Sequence, residues 1–559
     1  MGACLRYPVV RGLRLVAAFA VLLATYLLGS YFIGMSAVVD VPYYALLSLG
    51  RIALVYIIAL GVGLGFGILA ATSKTAERVL VPLFDIGQSV PILGYFPVVL
   101  TFLIIAFPHG VGNEIGADFL LFTAMEWDIF FGVVGAVKSI PGSVEEAARG
   151  YGFTGTNHLR YVVLPAVLPA LLSASVLAWN DGWTFDVASE FVRFANSSGT
   201  LITYQVAGLG SYIELATNAG HVAVSWYGVL VMGEIIFISN QLIWHALQNR
   251  VATHKPVLAS FIRPDLQSPL RLRRRFRRLI GLRLRQVSQT VRVTEQISTR
   301  ILAAVFVAVL LIVGFLVVAR LPIGGLQGFV GALTKPGGQL ANVPLYSLFT
   351  IGRLFAAYIT CVGITLLCAV LAVTKKNFAR YFYPLYDLGR SVPYLAVFLP
   401  LFVTLHGSLS AGVSQEISSF ILLMLAMVWY LLFNVVTAAR ALPTELTEVS
   451  AVFGVKGWRR VTDIILPAVL PAFITGSLLA WGGGWNVVIY SEYVQLAGQS
   501  TPHVLPGLGY LLDNAAYVLG DIPLVIFFLF IMSGIVILLE RLVWRRLLKR
   551  VERFGVEFN

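Results

Sequence analysis

The chain has 559 residues, of which 58% are hydrophobic and 12% charged, with a mean hydropathy of +0.85. A soluble chain carries about 25% charged residues, so this composition excludes a water-soluble enzyme or binding module. The net charge of +13 is concentrated: residues 250–300 hold 13 Lys/Arg against 2 Asp/Glu, which places +11 in one segment.

Long charge-free runs occupy residues 15–33, 52–73, 89–108 and 301–319. About 20 apolar residues span the hydrocarbon thickness as a helix. The runs do not alternate polar and apolar residues, as barrel strands do. They predict helices near 15–33, 48–71, 89–107, 118–137, 165–185 and 226–247. A second set follows near 301–319, 347–373, 391–405, 417–437, 467–487 and 522–541. The expected fold is an all-α polytopic membrane protein with about 12 transmembrane helices in two parallel six-helix repeats. The first run is long for a signal-peptide core of roughly 7–15 residues, and it is read as a retained helix. Cys4, Cys361 and Cys368 have no disulfide or metal spacing.

An even helix count puts the N-terminus, the basic segment and the Arg-rich C-terminus on one side, which the positive-inside rule makes cytoplasmic. The basic segment includes RLRRRFRRLIGLRLR at residues 271–285. It is read as a topology determinant whose interleaved Leu, Phe and Ile can rest on an anionic leaflet, not as a nucleic-acid surface. The expected organisation is a first unit at 1–249, a linker at 250–300 and a second unit at 301–559.

The repeat is explicit. VPLFDIGQSVP (81–91) aligns with YPLYDLGRSVP (383–393) at an offset of 302. At that offset Arg51 meets Arg353, Glu146 meets Glu448, Pro165 meets Pro467, Trp183 meets Trp485 and Glu190 meets Glu492. Further on the register slips, so that Gly208 meets Gly507 and Trp244 meets Trp544. A shared orientation of the halves makes this a parallel repeat.

Between the predicted fourth and fifth helices lies a charged loop, EEAARGYGFTGTNHLRYVVLPAVLP, beginning at Glu145. Pro141 and Gly142 end helix four. Ser143 is expected to cap a short helix whose first turn holds Glu145 and Glu146. Gly152 permits a tight turn. Pro165 is expected at the start of helix five, and Pro169 one turn later. The spacing Glu-Ala-Ala, three residues, Gly, nine residues, Ile-x-Leu-Pro resembles the coupling loop of the binding-protein-dependent type I ABC-importer permeases. Here it is read as Glu146-Ala147-Ala148, Gly152, Val162 and Leu164-Pro165. Its second copy is Glu448-Val449-Ser450, Gly454, Ile464 and Leu466-Pro467. Val162 replaces Ile, and Val449-Ser450 replaces Ala-Ala. The PLFDIGQSVP and W…GW…SE segments look like the nitrate/sulfonate/taurine type.

The resemblance implies an inner-membrane importer subunit with both permease units fused and no catalytic residue or metal site of its own. It implies that Glu145, Glu146, Ala147, Ala148, Gly152, Glu448, Val449, Ser450 and Gly454 dock two cytoplasmic ABC ATPases. An external solute-binding protein is the other implied partner. The sequence contains no Gly-Lys dipeptide and hence no P-loop. ATP and Mg are therefore expected on the ATPase partners, with one copy of this chain per transporter.

The halves differ in their acids. Glu126, Asp128, Asp181, Asp186 and Glu234 align with Val428, Tyr430, Gly483, Val488 and Gly534. An intramembrane carboxylate costs roughly 2.5 kcal/mol or more, so function is the first hypothesis for it. These five, with Arg51, Arg353, Trp183, Trp485 and Asn486, are the candidates for the translocation path. Helix–helix hydrogen bonds, or pairing with Arg51, Arg193 or Arg353, are the structural alternative. The resemblance favours a small anion such as nitrate or a sulfonate, whereas unpaired acids favour a cation or amine. Alternatives of other classes are an ion-coupled secondary transporter and a membrane scaffold. A requirement for ATP and an ATPase partner discriminates them.

Overall fold

A bilayer offers no water to backbone N–H and C=O groups, so spanning segments satisfy them within helices. The computed structural model describes residues 2–107, 110–195, 201–253, 339–375, 377–440, 459, 461–494, 496, 502–519 and 521–551. The first half comprises α1 (Gly2–Phe32), α2 (Val41–Thr72), α3 (Lys74–Ser89), α4 (Ile92–Ala106), α5 (Val111–Lys138) and α6 (Gly142–Gly150). It continues with α7 (Leu164–Glu190), a hairpin of β1 (Phe191–Ala195) and β2 (Leu201–Gln205), α8 (Leu209–Asn218) and α9 (Val222–Ser239). The second half repeats the order as α10 (Val343–Thr374), α11 (Phe378–Arg390), α12 (Tyr394–His406), α13 (Ala411–Arg440) and α14 (Leu466–Glu492). It closes with β3 (Tyr493–Val494), β4 (His503–Val504), α15 (Leu508–Asp513) and α16 (Ile522–Leu539).

Among the described residues eight helices are long and apolar enough to cross a membrane, and ten if each of two bent pairs is one span. The apolar part of α1, Val16–Phe32, is shorter. The predicted helix at 301–319 and the linker from 254 lie outside the described residues.

Three local expectations change. The helices expected near 89–107 and 391–405 form as α4 and α12, but a further helix leads into each at a sharp bend. α3 meets α4 at 97°, and the α11–α12 pair bends by 78°. Proline disfavours helical geometry in the residue before it. Val90, before Pro91, is accordingly extended (φ −85°, ψ 122°) and breaks the span. Helix five does not start at Pro165. It runs over Gly155–Glu190 and passes through a π turn at Leu159–Val163, where the Leu164 N–H donates to the Leu159 carbonyl. The wider turn carries the helix past a proline that has no N–H to give. A π turn at Val461–Ile465 does the same before Pro467. Finally, Ser143 does not cap α6. Pro141 holds the N-cap position in extended geometry (φ −61°, ψ 140°), which starts the helix early and places Ser143 inside it. Gly152 does take the left-handed conformation (φ +79°) that a turn there needs.

Lipid supplies no hydrophobic drive between helices, so small residues and close packing hold them. α5 packs along α2 and α7, as α13 packs along α10 and α14. A Cβ on Gly67 would lie 2.8 Å from Val133 and 3.2 Å from the Phe130 carbonyl. Aromatic trios repeat too: Tyr56, Trp179 and Trp244 meet with centroids 5.3–5.9 Å apart, and Tyr358, Trp481 and Trp544 at 5.8–6.1 Å. The halves interlock. α4 packs on α14 and α16, while α12 packs on α7, α8 and α9. Overpacking a tight core costs about 1–3 kcal/mol. Gly67→Leu is therefore expected to lower the thermal unfolding midpoint of the purified protein, and an unchanged midpoint would contradict the α2–α5 packing.

Candidate functional site

Each half contains one buried carboxylate that organises the end remote from α6. Glu190, at the end of α7, has no exposed surface. Its Oε2 accepts from the Gly210 and Ser211 N–H groups at 2.7 and 3.2 Å, the first turn of α8. Its Oε1 accepts from Ser48 Oγ at 2.6 Å and from the Arg51 guanidinium, both on α2. Ser48 Oγ in turn accepts from Leu209 N–H at 2.8 Å. The second half repeats the set. Glu492 accepts from Gly509 N–H at 2.8 Å, Thr350 Oγ1 at 2.8 Å and Arg353 Nη1 at 2.9 Å, and Leu508 N–H donates to Thr350 Oγ1 at 2.8 Å. A carboxylate at a helix N-terminus satisfies orphan N–H groups and is favoured by the helix dipole. Any Cβ on Gly208 or Gly507 would overlap that carboxylate. Outside the clasp, Glu114 pairs with Arg51 at 3.1 Å and Glu416 with Arg353 at 2.9 Å.

Between the halves lie two adjoining cavities of about 170 and 190 Å³, which share Asp181, Tyr394 and Tyr430 in their walls. Corresponding positions of both halves line them: Gln88 with Arg390, Asp128 with Tyr430, and Thr184 with Asn486. The space therefore sits on the axis relating the repeats. Asp128 and Asp181 lie close enough to feel each other's charge, and the Arg390 charge acts on both. Arg390 Nη2 also donates to the Val176 carbonyl of α7 at 3.3 Å, a tie between halves. The Asn486 side chain accepts from Ile92 N–H at 3.4 Å, a second such tie.

A third cavity, of about 90 Å³, lies toward the clasps and has Glu214, Tyr490 and Asp513 in its wall. The Tyr490 hydroxyl donates to Glu214 across the halves. Burial, with Glu492 as a negative neighbour, pushes the Asp513 carboxyl well above its ordinary range.

At the opposite end, α6 stands on the surface. Glu146, Ala147 and Arg149 are exposed and Tyr151 is 75% exposed, whereas Ala148 is buried. Glu145 pairs with His158 Nε2 at 3.1 Å, which ties α6 to the start of the fifth helix. Lys138, at the end of α5, pairs with Glu77 of α3 at 2.6 Å. Glu448, Val449, Ser450 and Gly454 of the second loop lie outside the described residues.

The family model of the binding-protein-dependent transport system inner membrane component matches residues 63–251 and again 361–552. The chain belongs to this family. It is a permease with two units of the family fused in one polypeptide, integral to the inner membrane, and not an enzyme. Its relatives match it over single-unit lengths. The bicarbonate transport system permease protein of Synechococcus elongatus is 28% identical over 188 residues, 34% of this chain and 62% of the relative. The permease thus spans less than two thirds of that relative's length. The putative aliphatic sulfonates transport permease protein of Bacillus subtilis is 28% identical over 204 residues, 34% of this chain and 68% of its own. The taurine transport system permease protein of Escherichia coli is 28% identical over 204 residues, 36% and 67%.

Of the path candidates in this permease, Asp128, Asp181, Trp485 and Asn486 line the axial cavity. Arg51 and Arg353 belong to the clasps. Asp186 is fully buried one turn before Glu190 on α7. Trp183 and Glu126 are buried away from the cavities, Glu126 with both carboxylate oxygens lacking a hydrogen-bond partner among the described residues. Glu234 accepts from Thr25 Oγ1 at 2.6 Å and joins α9 to α1. The side chain of Arg193 lies outside the described residues. Sequence reasoning missed Arg390, Tyr394 and Tyr430. The substitution of Gln88 by Arg390 at the repeat offset was the readable signal.

Removing one partner of a buried pair leaves an uncompensated charge, a loss of about 3–5 kcal/mol. Arg51→Ala is expected to destabilise the purified permease by that amount in thermal or denaturant unfolding. Glu190→Gln, which adds no charge and leaves Arg51 with Glu114, should cost less. Equal and negligible effects would show that the clasp does not hold the fold.

Proposed function

We propose that this permease is the translocation subunit of an ATP-driven importer, with α6 and the second copy of its sequence as the docking sites for two cytoplasmic ATPases. The exposed face of α6 carries the proposal. A short helix bearing Glu146, Arg149 and Tyr151 on its solvent side, and pinned to the fifth helix through Glu145 and His158, is a surface awaiting a soluble partner. In this reading the α6 end, both termini and the linker are cytoplasmic, as the basic residues favour. A binding protein delivers solute at the clasp end. The axial cavity then opens to alternate sides as the two interlocked halves move against each other. The relatives are named for bicarbonate, sulfonates and taurine. Small anions are accordingly the first solutes to test.

Because both units are in one chain, one copy is expected to recruit two ATPases. A purified complex with two copies per two ATPases would overturn that arithmetic. Glu146→Lys, at an exposed site with no fold role, is expected to reduce ATPase co-purification and ATP-dependent uptake while leaving membrane insertion intact. Unchanged recovery and uptake would remove α6 from the docking role. Uptake that persists without any ATPase and follows an ion gradient would support an ion-coupled transporter instead.

A further inference from the structure

The two halves differ most at the axial cavity, and the differences share one chemical sense. In the first half the Trp179 indole N–H donates to Ser239 Oγ at 2.9 Å, and Asn240 Nδ2 donates to Asn180 Oδ1 at 3.0 Å. At the matching places the second half has Trp481, Leu539, Glu540 and Gly482. Leu539 cannot accept, so the buried Trp481 N–H has no partner among the described residues. Gly482 fills none of the space that Asn180 fills, and all four positions line the cavity.

Asp128, Asp181 and Glu540 line the two cavities with a single arginine, Arg390. Glu540 pairs with Arg545 at 2.7 Å, and Arg545 pairs equally closely with Asp85. Asp128 and Asp181 hydrogen-bond to each other, which requires a proton on one of them, and both feel the charge of Arg390. Sharing a proton, the pair carries one negative charge, which Arg390 offsets, while the buried Asp128 Oδ2 accepts no hydrogen bond among the described residues. The surrounding walls include Trp127, Trp481, Trp485, Trp544, Tyr394 and Tyr430. Aromatic faces attract cations, most strongly where water is excluded.

We propose that the axial cavity binds a small organic solute bearing a protonated amine. The amine donates to Asp128 and Asp181 in place of the proton that they share. The body of the solute rests against the Trp and Tyr side chains, and an acceptor atom on it takes the Trp481 N–H. A bare inorganic anion would offer the carboxyl pair no donor. The inference rests on reading the chain as a solute permease and, for this cavity, replaces the small anions that the relatives' names suggest with an amine-bearing solute.

The test uses the purified full-length permease in lipid nanodiscs, with intrinsic tryptophan fluorescence as the readout and benzylamine, benzoate and nitrate as probes. Benzylamine is expected to give a saturable change that benzoate and nitrate do not. Loss of a charge-assisted hydrogen bond weakens binding by about tenfold or more, which is the shift expected for both Asp128→Asn and Asp181→Asn. Thermal unfolding checks that each variant is folded, and the wild-type comparison decides alone if either is not. Benzoate or nitrate binding as tightly as benzylamine, no saturable amine signal, or unchanged amine affinity in folded Asn variants overturns the proposal. Those outcomes leave the importer reading standing, because ATPase co-purification tests it separately.

Discussion

A carboxylate buried at a helix N-terminus is the constraint on which the rest of this membrane protein depends. Glu190 and Glu492 each join three pieces of chain: the end of the fifth helix, the first third of the second and the start of the short helix beyond the hairpin. A charge without exposed surface is tolerated only where several donors replace its water. Here a guanidinium, a hydroxyl and backbone N–H groups do so in both halves. The glycines at 208 and 507 follow from that, since a side chain there would occupy the carboxylate's place. So do the positions of Ser48 and Thr350, whose hydroxyls donate to the acid and accept from the next N–H.

On this duplicated frame the centre is free to diverge. The clasps, the aromatic trios and the π turns recur with the same partners. The residues around the axis do not. Aspartates face a tyrosine and a glycine, and a glutamine faces an arginine. Two separate subunits encoded by one gene would be forced to present identical walls. Fusion removes that requirement, and the cavity is where the removal shows.

The architecture was legible because apolar runs and a constant offset are one-dimensional signals. Helix number, the repeat and the docking loop all followed from them. What the sequence concealed depends on direction. Arg51 and Glu190 are 139 residues apart, and neither spacing nor composition says that they meet. Both were visible as repeated residues, but the arginines were read as path candidates when their partners are structural. Of the five unpaired acids, Asp128 and Asp181 reach the axis, whereas Glu234 ties two helices together. The choice is set by which face of each helix looks inward, and these helices are apolar nearly all round. The bent third spans were hidden in a Val-Pro dipeptide, whose effect on the preceding residue is local but whose consequence is a turn of 97°.

The π turn before Pro165 has a mechanical consequence. By absorbing the proline it keeps Gly155 to Glu190 a single helix. At 1.5 Å per residue such a helix is about 54 Å long. One end is pinned to α6, Asp181 lies along its length, and the far end terminates in the clasp. A push on α6 would be delivered to the cavity and the opposite face by one rod, with no loop in between to take up the slack.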